Sequence, residues 1–283
     1  MSIAYLNGSW QPIDEARVSV LDRGFMFGDG AYEVIPVYQG KTFAEDQHLA
    51  RLANSLNELH ITMPMAQDSW HEIFAEAIER GGEDEAVLYV QVTRGVATSR
   101  THIYETSEPT VLVTATKRAV RKISDQYRMV TKQDFRWGRG DLKVISLAAN
   151  SLLKNEALSE GYDDVILIRD GKVTEASSSN IFVIKDGVIA TPVADNFLLH
   201  GVTRGQVMAL AQKHGMPLEE RDVDEQELLA ADEVWITSTS MEVWPVVSIN
   251  GLAVGNGESG LLYQKMYQLF QELKHQSESG SVT

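Results

Sequence analysis

The sequence predicts an α/β fold of the α+β type, divided into two domains. Alternating polarity at 86–93 marks a half-buried strand. Asn7-Gly8 and Asn250-Gly251 are dipeptides typical of tight hairpin turns, which join antiparallel strands. Leucines at helical spacing in 48–61 place one apolar face on a helix. A length of 283 residues fits one large domain or two moderate ones.

The first domain alternates helices with strands of an antiparallel sheet. Its predicted elements, in order, are a hairpin at Asn7-Gly8, helices at 48–61 and 70–78, and strands at 86–93 and 111–116. Gly81-Gly82 is expected to end the second helix. These segments assign residues 1–116 to a small N-terminal α/β domain.

A polar and basic stretch at 117–127 is the best candidate for an interdomain linker, which leaves 128–283 as a larger C-terminal domain. The predicted elements of this domain are strands at 165–169, 172–175, 180–184 and 233–239, helices at 205–214 and 262–273, and turns at Asp170-Gly171, Asp186-Gly187 and Asn250-Gly251. Such short, hairpin-rich strands predict mixed pairing rather than a doubly wound parallel sheet.

Composition excludes several classes of function. Lys and Arg total 25 against 40 Asp and Glu, and the net charge of −15 disfavours binding to nucleic acid or to anionic membranes. The absence of cysteine excludes disulfides and thiol catalysis. No apolar run is long enough to span a membrane, and no secretory signal, P-loop, GxGxxG or metal-binding motif is evident. We therefore expect a cytoplasmic protein without a metal.

Six short clusters could carry chemistry, although each also fits an ordinary turn, loop or helix cap. They are residues 22–33, Arg100 with His102, Lys143, 173–180, 200–205 and 237–240. An Arg and a His two residues apart can converge on one carboxylate. A lysine beside an apolar run can lose its proton by desolvation and become a nucleophile, or simply extend to water. The helix start at 200–205 can bind phosphate, or Thr203 can be its N-cap.

The order and combination of these motifs resemble those of a known enzyme family. Over almost its whole length the sequence resembles the fold-type IV pyridoxal-phosphate-dependent aminotransferases, through FGDGAYEV, HLARL, QVTRG, RGDLK, VTEASSSNIF, HGVTRG and ITSTSMEV in that order. The R-x-H pattern of Arg100 and His102 is similar to that of D-amino-acid transaminases. The resemblance implies an N-terminal antiparallel sheet with helices and a C-terminal mixed-strand, pseudo-barrel domain that carries the cofactor lysine.

The resemblance also implies a role for particular residues. Lys143 would hold pyridoxal 5'-phosphate as a Schiff base and move the substrate's α-proton. Glu175 would face the pyridine nitrogen and keep it protonated, which strengthens the ring as an electron sink. The remaining implied cofactor contacts are Arg51, Val202, Thr203 and Thr239 at the phosphate, Leu199 against the ring, and Ser179 near the cofactor.

Tyr32, Arg100 and His102 are implied to bind the substrate's α-carboxylate. In the family the Arg–His loop comes from the neighbouring subunit, so the resemblance implies a homodimer. The sequence departs from the usual D-amino-acid pattern at Gly140, at 144–146 and at Ala176, and the first two border Lys143. The preference for a particular substrate side chain is therefore the property that the sequence determines least.

The resulting hypothesis is a transaminase that moves the amino group of a D-amino acid, such as D-alanine, to a 2-oxo acid, such as 2-oxoglutarate. The alternatives are a branched-chain or (R)-amine transaminase of the same fold, or an aminodeoxychorismate lyase. The pair of Arg100 and His102 argues against both. A protein that binds the cofactor without turnover is disfavoured because Lys143, Glu175 and the carboxylate site are all present.

Overall fold

A computed structural model describes residues 3–105, 107–118 and 127–278. The chain divides into two compact units, one of Met1–Ala119 with Leu142–Ser146 and one of Val120–Asp141 with Leu147–Thr283. Except at its ends, the predicted linker at 117–127 lies outside the described residues. The domain boundaries given above therefore stay a prediction.

The first unit contains a six-stranded sheet whose neighbouring strands are all antiparallel, as the sequence predicts. Its elements are β1 (Ile3–Leu6), β2 (Ser9–Pro12), α1 (Arg23–Phe27), β3 (Gly30–Tyr38), β4 (Lys41–Thr42), α2 (Glu45–Glu58), α3 (Gln67–Gly81), β5 (Ala86–Thr93) and β6 (Thr110–Lys117). The strand order is β2-β1-β6-β5-β3-β4.

Local sequence signals account for the turns and helices of this unit. Asn7 and Gly8 adopt positive φ angles of 48° and 90°, the conformation that a two-residue hairpin turn requires. Helix α2 buries the predicted leucine face against β3, although it begins three residues earlier than the predicted start at residue 48. Helix α3 ends at Gly82, whose left-handed conformation with φ of 67° closes the last turn.

Strand β3 differs from the expectation that 22–33 forms mainly a turn. In the structure α1 occupies 23–27, and β3 begins at Gly30 and pairs with β5 along its length. Both faces of β3 are largely buried, so its residues show no clear alternation of polarity. A Cβ at Gly30 would lie 2.5 Å from the carbonyl oxygen of Val92, so the close approach of these strands requires glycine.

The second unit contains two five-stranded sheets, ordered β12-β11-β10-β13-β14 and β16-β15-β7-β8-β9. Its strands are β7 (Arg128–Gln133), β8 (Asp164–Arg169), β9 (Lys172–Ala176), β10 (Asn180–Lys185), β11 (Val188–Thr191), β12 (Leu218–Glu220), β13 (Glu233–Ser238), β14 (Glu242–Val246), β15 (Ser248–Ile249) and β16 (Leu252–Ala253). Its helices are α4 (Ala148–Ser159), α5 (Val202–Lys213), α6 (Glu225–Leu229) and α7 (Leu261–Glu278). Parallel and antiparallel pairs occur in both sheets, which confirms mixed pairing.

The inner faces of both sheets contribute to one apolar core in this unit. Met129 and Ile166 from one sheet and Ile181 and Ile236 from the other are fully buried in it. The predicted hairpins at 170–171, 186–187 and 250–251 are present, each with positive φ at both residues. Packing in this core therefore fixes the strands that these turns connect.

The segment Leu142–Ser146 groups with the first unit, whereas the sequence-based division counted it with the C-terminal domain. The backbone explains this grouping. The N–H of Tyr32 donates to the carbonyl of Lys143 at 3.0 Å, and the N–H of Ile145 donates to the carbonyl of Gly30 at 3.1 Å. Lys143 is thereby fixed to the start of β3, a pairing between distant residues that local sequence patterns do not reveal.

Two further findings concern the part of the chain that the structure describes. No helix there combines the length and apolar character needed to cross a membrane. No group of three or more His, Asp or Glu side chains within it could hold a metal ion.

Candidate active site

Lys143 lies against the aromatic ring of Tyr32. Its Nζ is 4.2 Å from the ring centroid, a distance at which a cation is attracted to the face of the ring. Its backbone N–H donates to the Oγ of Ser55 at 3.1 Å, and its carbonyl accepts from Tyr32 as described above. Because Leu142 and Val144 are buried on either side, the main chain at this lysine is held firmly. The structure thus brings two of the predicted site residues, Lys143 and Tyr32, together.

A buried ion pair joins β3 to α2 in the same unit. Arg51 donates from Nε to Oε1 of Glu33 at 2.7 Å and from Nη2 to Oε2 at 2.9 Å. The Nδ1 of His48 lies 2.8 Å from Oε2 of Glu33. Glu33 has no exposed surface, so its charge depends entirely on these partners. Sequence reasoning gave Glu33 and His48 no role, since nothing local indicates that they meet Arg51.

The electrostatics of this cluster follow from burial and from the charge of Arg51. Burial by itself would raise the pKa of Glu33, but the charge and hydrogen bonds of Arg51 and the hydrogen bond of His48 lower it to about 2. Burial also lowers the pKa of His48, so its ring is neutral near neutral pH and donates the Nδ1 proton to Glu33. The result is an arginine whose planar guanidinium is anchored on the carboxylate of Glu33.

In the second unit, Glu175 is held at both carboxylate oxygens. Its Oε1 accepts from Nη1 of Arg136 at 2.5 Å, and its Oε2 accepts from the backbone N–H of Leu199 at 3.0 Å. Asn180 donates from Nδ2 to the same Oε2 at 3.5 Å and to the carbonyl of Leu199 at 2.7 Å. The carboxylate of Glu175, on β9, is therefore fixed in orientation by a cation and a main-chain donor.

Arg136 is itself held by Asp134. Its Nε and Nη2 each lie 3.0 Å from a carboxylate oxygen of Asp134, which also accepts from Thr174 and pairs with Arg169. Burial opposes charge on both groups, yet their hydrogen bonds raise the pKa of Arg136 and lower that of Asp134. Both groups therefore stay ionised. Sequence reasoning missed Arg136, because its partner Glu175 lies 39 residues away in the chain.

The start of α5 presents backbone N–H groups without a side-chain cap. Gly201 is the N-cap residue, so Val202 and Thr203 are the first residues of the helix and Thr203 is not its cap. A Cβ at Gly201 would lie 2.1 Å from Oδ1 of Asn180, which explains why glycine is needed there. A helix start of this kind favours an anion through its N–H groups and its dipole.

Two buried hydroxyls in the described part of the second unit lack partners, and one of them belongs to the strand that pairs with Asn180. Asn180, which contacts Gly201, pairs with Thr237 on the neighbouring strand β13. The Oγ1 of Thr237 and the Oγ of Ser177 are buried without a hydrogen-bond partner among the described residues. Buried polar atoms normally have partners, so these two hydroxyls fit a bound polar group such as a phosphate ester. Ser179 is buried nearby in sequence, and Thr239 lies in the turn after β13.

Arg100 and His102 lie on an exposed loop after β5. Both side chains pack on the ring of Phe27. The guanidinium carbon of Arg100 is 4.9 Å from the ring centroid, and the imidazole of His102 is 5.4 Å from it in an edge-on arrangement. Both side chains of the predicted pair therefore contact the same ring within the first unit, and their convergence on one carboxylate stays a prediction.

Comparison with known proteins identifies the family of this chain. The model of the amino-transferase class IV family matches residues 30–249. The chain is 38% identical over 268 residues to a D-alanine aminotransferase of Bacillus licheniformis, covering 94% of each protein. It is 37% identical over 264 residues to a D-alanine aminotransferase of Listeria monocytogenes serotype 4b, covering 92% of this chain and 91% of the relative.

A solved structure has the same fold. A branched-chain aminotransferase from the thermophilic archaeon Thermoproteus uzoniensis, solved with norvaline, superposes with a TM-score of 0.87 at 25% identity, over 96% of this chain and 94% of that one. The family model spans most of the chain, and the curated relatives exceed 30% identity over nine-tenths of it. The chain therefore belongs to the class IV amino-transferases, enzymes of fold type IV that catalyse transamination.

Proposed function

We propose that this aminotransferase uses pyridoxal 5'-phosphate to move the amino group of a D-amino acid, such as D-alanine, to a 2-oxo acid, such as 2-oxoglutarate. The observation that carries the substrate class is the pair of Arg100 and His102 on the ring of Phe27, since two such donors suit a carboxylate. Similarity to two D-alanine aminotransferases extends over nine-tenths of the chain and supports the same substrate.

Lys143 is the proposed nucleophile and proton carrier. When bound, the cofactor supplies an aldehyde carbon and a ring that stabilises negative charge at the substrate's Cα. Lys143 would hold the cofactor through its Nζ and, once released by the substrate's amine, would carry the substrate's α-proton. The fixed main chain at Lys143 and the ring of Tyr32 orient this Nζ for both tasks.

Glu175 is proposed to hold a proton on the pyridine nitrogen. Arg136 on one oxygen and the Leu199 N–H on the other fix the orientation of the carboxylate, as this task requires. The side chain of Leu199 is proposed to lie against the ring, with Ser179 near the cofactor. The backbone hydrogen bond from Leu199 supports its placement beside Glu175.

The phosphate is proposed to bind at the start of α5. Val202 and Thr203 supply uncapped N–H groups, and Thr239 supplies a hydroxyl. The unpartnered hydroxyl of Thr237, whose strand partner Asn180 contacts Gly201, supports a polar ligand in this region. Arg51 is proposed to add its positive charge, with Glu33 and His48 fixing its geometry as described above.

We further propose that the enzyme is a homodimer in which the loop with Arg100 and His102 serves the neighbouring subunit. The segment 18–25 is hydrogen-bonded to this loop through its backbone. Both stretches expose apolar side chains, which supports the proposal. These side chains are Val18, Val20, Phe25, Val96, Ile103 and Tyr104. Exposed apolar surface of this kind is typical of a protein–protein interface. The expected cytoplasmic location stays a prediction.

Purified holoenzyme mixed with a panel of D- and L-amino acids and amines tests the proposed substrate. Loss of the cofactor's visible absorption band reports amino-group transfer. We expect D-alanine to bleach the band faster than L-alanine or a simple amine. The alternative, suggested by the structural similarity to a branched-chain aminotransferase, is a preference for branched-chain L-amino acids. Such a preference would refute D-specificity. Release of pyruvate from aminodeoxychorismate would indicate the lyase reaction instead.

A further inference from the structure

The loop that carries Arg100 and His102 is tied to helix α1. The N–H of Arg23 donates to the carbonyl of Gly95 at 2.9 Å, near the start of the loop. Within the loop, Nη1 of Arg23 donates to the carbonyl of Thr101 at 2.6 Å. Thr101 is the residue between Arg100 and His102, so this bond fixes the main chain at the centre of the pair.

Phe27, the last residue of α1, supports both side chains of the pair. The guanidinium of Arg100 lies over its ring, where the negative face attracts a cation. The imidazole of His102 meets the same ring at an interplanar angle of 62°, the favoured edge-to-face arrangement. The guanidinium carbon of Arg23 is a third neighbour, 4.8 Å from the ring centroid.

A buried cluster beneath α1 holds this support in place. Asp29 accepts from Nε of Arg23 at 2.7 Å, and from Nε and Nη2 of Arg94 at 2.8 and 3.0 Å. Burial opposes charge on Asp29, but the hydrogen bonds and charges of Arg94 and Arg23 lower its pKa, so the carboxylate stays ionised. Arg94 also lies 3.6 Å from the ring centroid of Tyr104, at the far end of the loop. One carboxylate thus joins two arginines.

We propose that Phe27 is a positioning residue for carboxylate recognition, because its ring presets the side chains of Arg100 and His102. This inference rests on the proposed function, in which that pair binds the α-carboxylate of the substrate. An exposed arginine samples many rotamers, and ordering them on binding weakens affinity. A ring that holds Arg100 before the substrate arrives reduces this loss. Phe27 would therefore influence carboxylate affinity without touching the substrate.

The experiment compares Phe27→Leu and Phe27→Met with Phe27→Tyr in the holoenzyme. Leu and Met remove the aromatic ring, whereas Tyr keeps it. Calorimetric titration with acetate measures carboxylate binding alone, and steady-state kinetics give KM and kcat for D-alanine. We expect Leu and Met to raise the acetate Kd and the KM together by about two- to five-fold, as loss of a cation–ring contact implies. The kcat and the Kd of pyridoxal 5'-phosphate should stay near wild type, and Phe27→Tyr should resemble wild type throughout.

Parallel measurements on Arg100→Ala separate the two proposals. If Arg100→Ala leaves acetate binding unchanged, the proposed carboxylate site is wrong. If Arg100→Ala weakens acetate binding but neither ring-deleting variant does, Phe27 has no positioning role. A fall in kcat and in cofactor affinity with an unchanged acetate Kd would also overturn the inference, since it would indicate general structural damage. Two ring-deleting variants are used so that misfolding of one does not decide the result.

Discussion

The buried carboxylate of Glu33 offers the sharpest quantitative prediction. A pKa lowered from 4.5 to about 2 corresponds to about 3 kcal/mol of native-state stabilisation at neutral pH. Removing one partner of a buried ion pair costs a similar amount, about 3–5 kcal/mol, because the other charge remains buried. Glu33→Gln should therefore lower the free energy of unfolding by about 3 kcal/mol or more at neutral pH.

The effect of pH on this difference has a defined sign. Because the folded-state pKa of Glu33 lies below its unfolded value, its contribution is complete above about pH 4.5 and declines as pH falls toward 2. The difference in unfolding free energy between wild type and Glu33→Gln should shrink by about 2 kcal/mol between about pH 7 and about pH 3. The loss reflects protonation of Glu33 in the unfolded chain, which the folded state resists.

Urea unfolding at a series of pH values and fixed protein concentration measures this difference. Glu79→Gln is a matched control, since Glu79 is exposed on α3 in the same unit and should change stability by no more than about 0.5 kcal/mol. A destabilisation by Glu33→Gln that stays below about 1 kcal/mol, or that does not vary with pH, would refute the reasoning. Either result would mean that the ion pair between Glu33 and Arg51 does not stabilise the folded state.

Three further predictions concern the cofactor. Lys143→Ala should abolish both the visible absorption band of the lysine-bound cofactor and amino-group transfer, and an unchanged spectrum would remove Lys143 from its proposed role. Glu175→Gln should slow turnover more than it weakens cofactor binding, as measured by kcat and by the Kd of pyridoxal 5'-phosphate. The reverse order would contradict its role at the pyridine nitrogen. Gly201→Ala should destabilise the helix start by about 1–3 kcal/mol and weaken cofactor binding, because its Cβ would meet Oδ1 of Asn180 at 2.1 Å. Gly205→Ala, in open space on the same helix, is the control and should be neutral or slightly stabilising, so equal effects in thermal unfolding would count against the clash.

Local sequence patterns accounted for the elements whose causes are local. The hairpin at Asn7-Gly8 forms because these residue types tolerate positive φ, and α3 ends at Gly82 for the same reason. The alternation of 86–93 matches the bounds of β5. Strand β3 and helix α4 were not foreseen, because β3 is buried on both faces and α4 has a weakly segregated apolar face.

The candidate site divides in the same way. The motif order identified Lys143, Glu175 and the pair of Arg100 and His102 as candidates, and the family comparison confirms the class of enzyme. Their individual roles stay predictions. No local signal indicated that Arg136 would hold Glu175, or that Glu33 would hold Arg51, since each partner is far away in the chain.

By itself, the sequence determined that this protein is a two-part α+β chain without cysteine, with the ordered motifs of a class IV amino-transferase. Such properties depend on residue type and on spacing along the chain. Only the tertiary structure decided that Lys143 pairs with β3 rather than standing with the second unit, and that Phe27 lies beneath Arg100 and His102. These arrangements depend on hydrogen bonds and ring contacts between residues far apart in the chain, which only folding brings together.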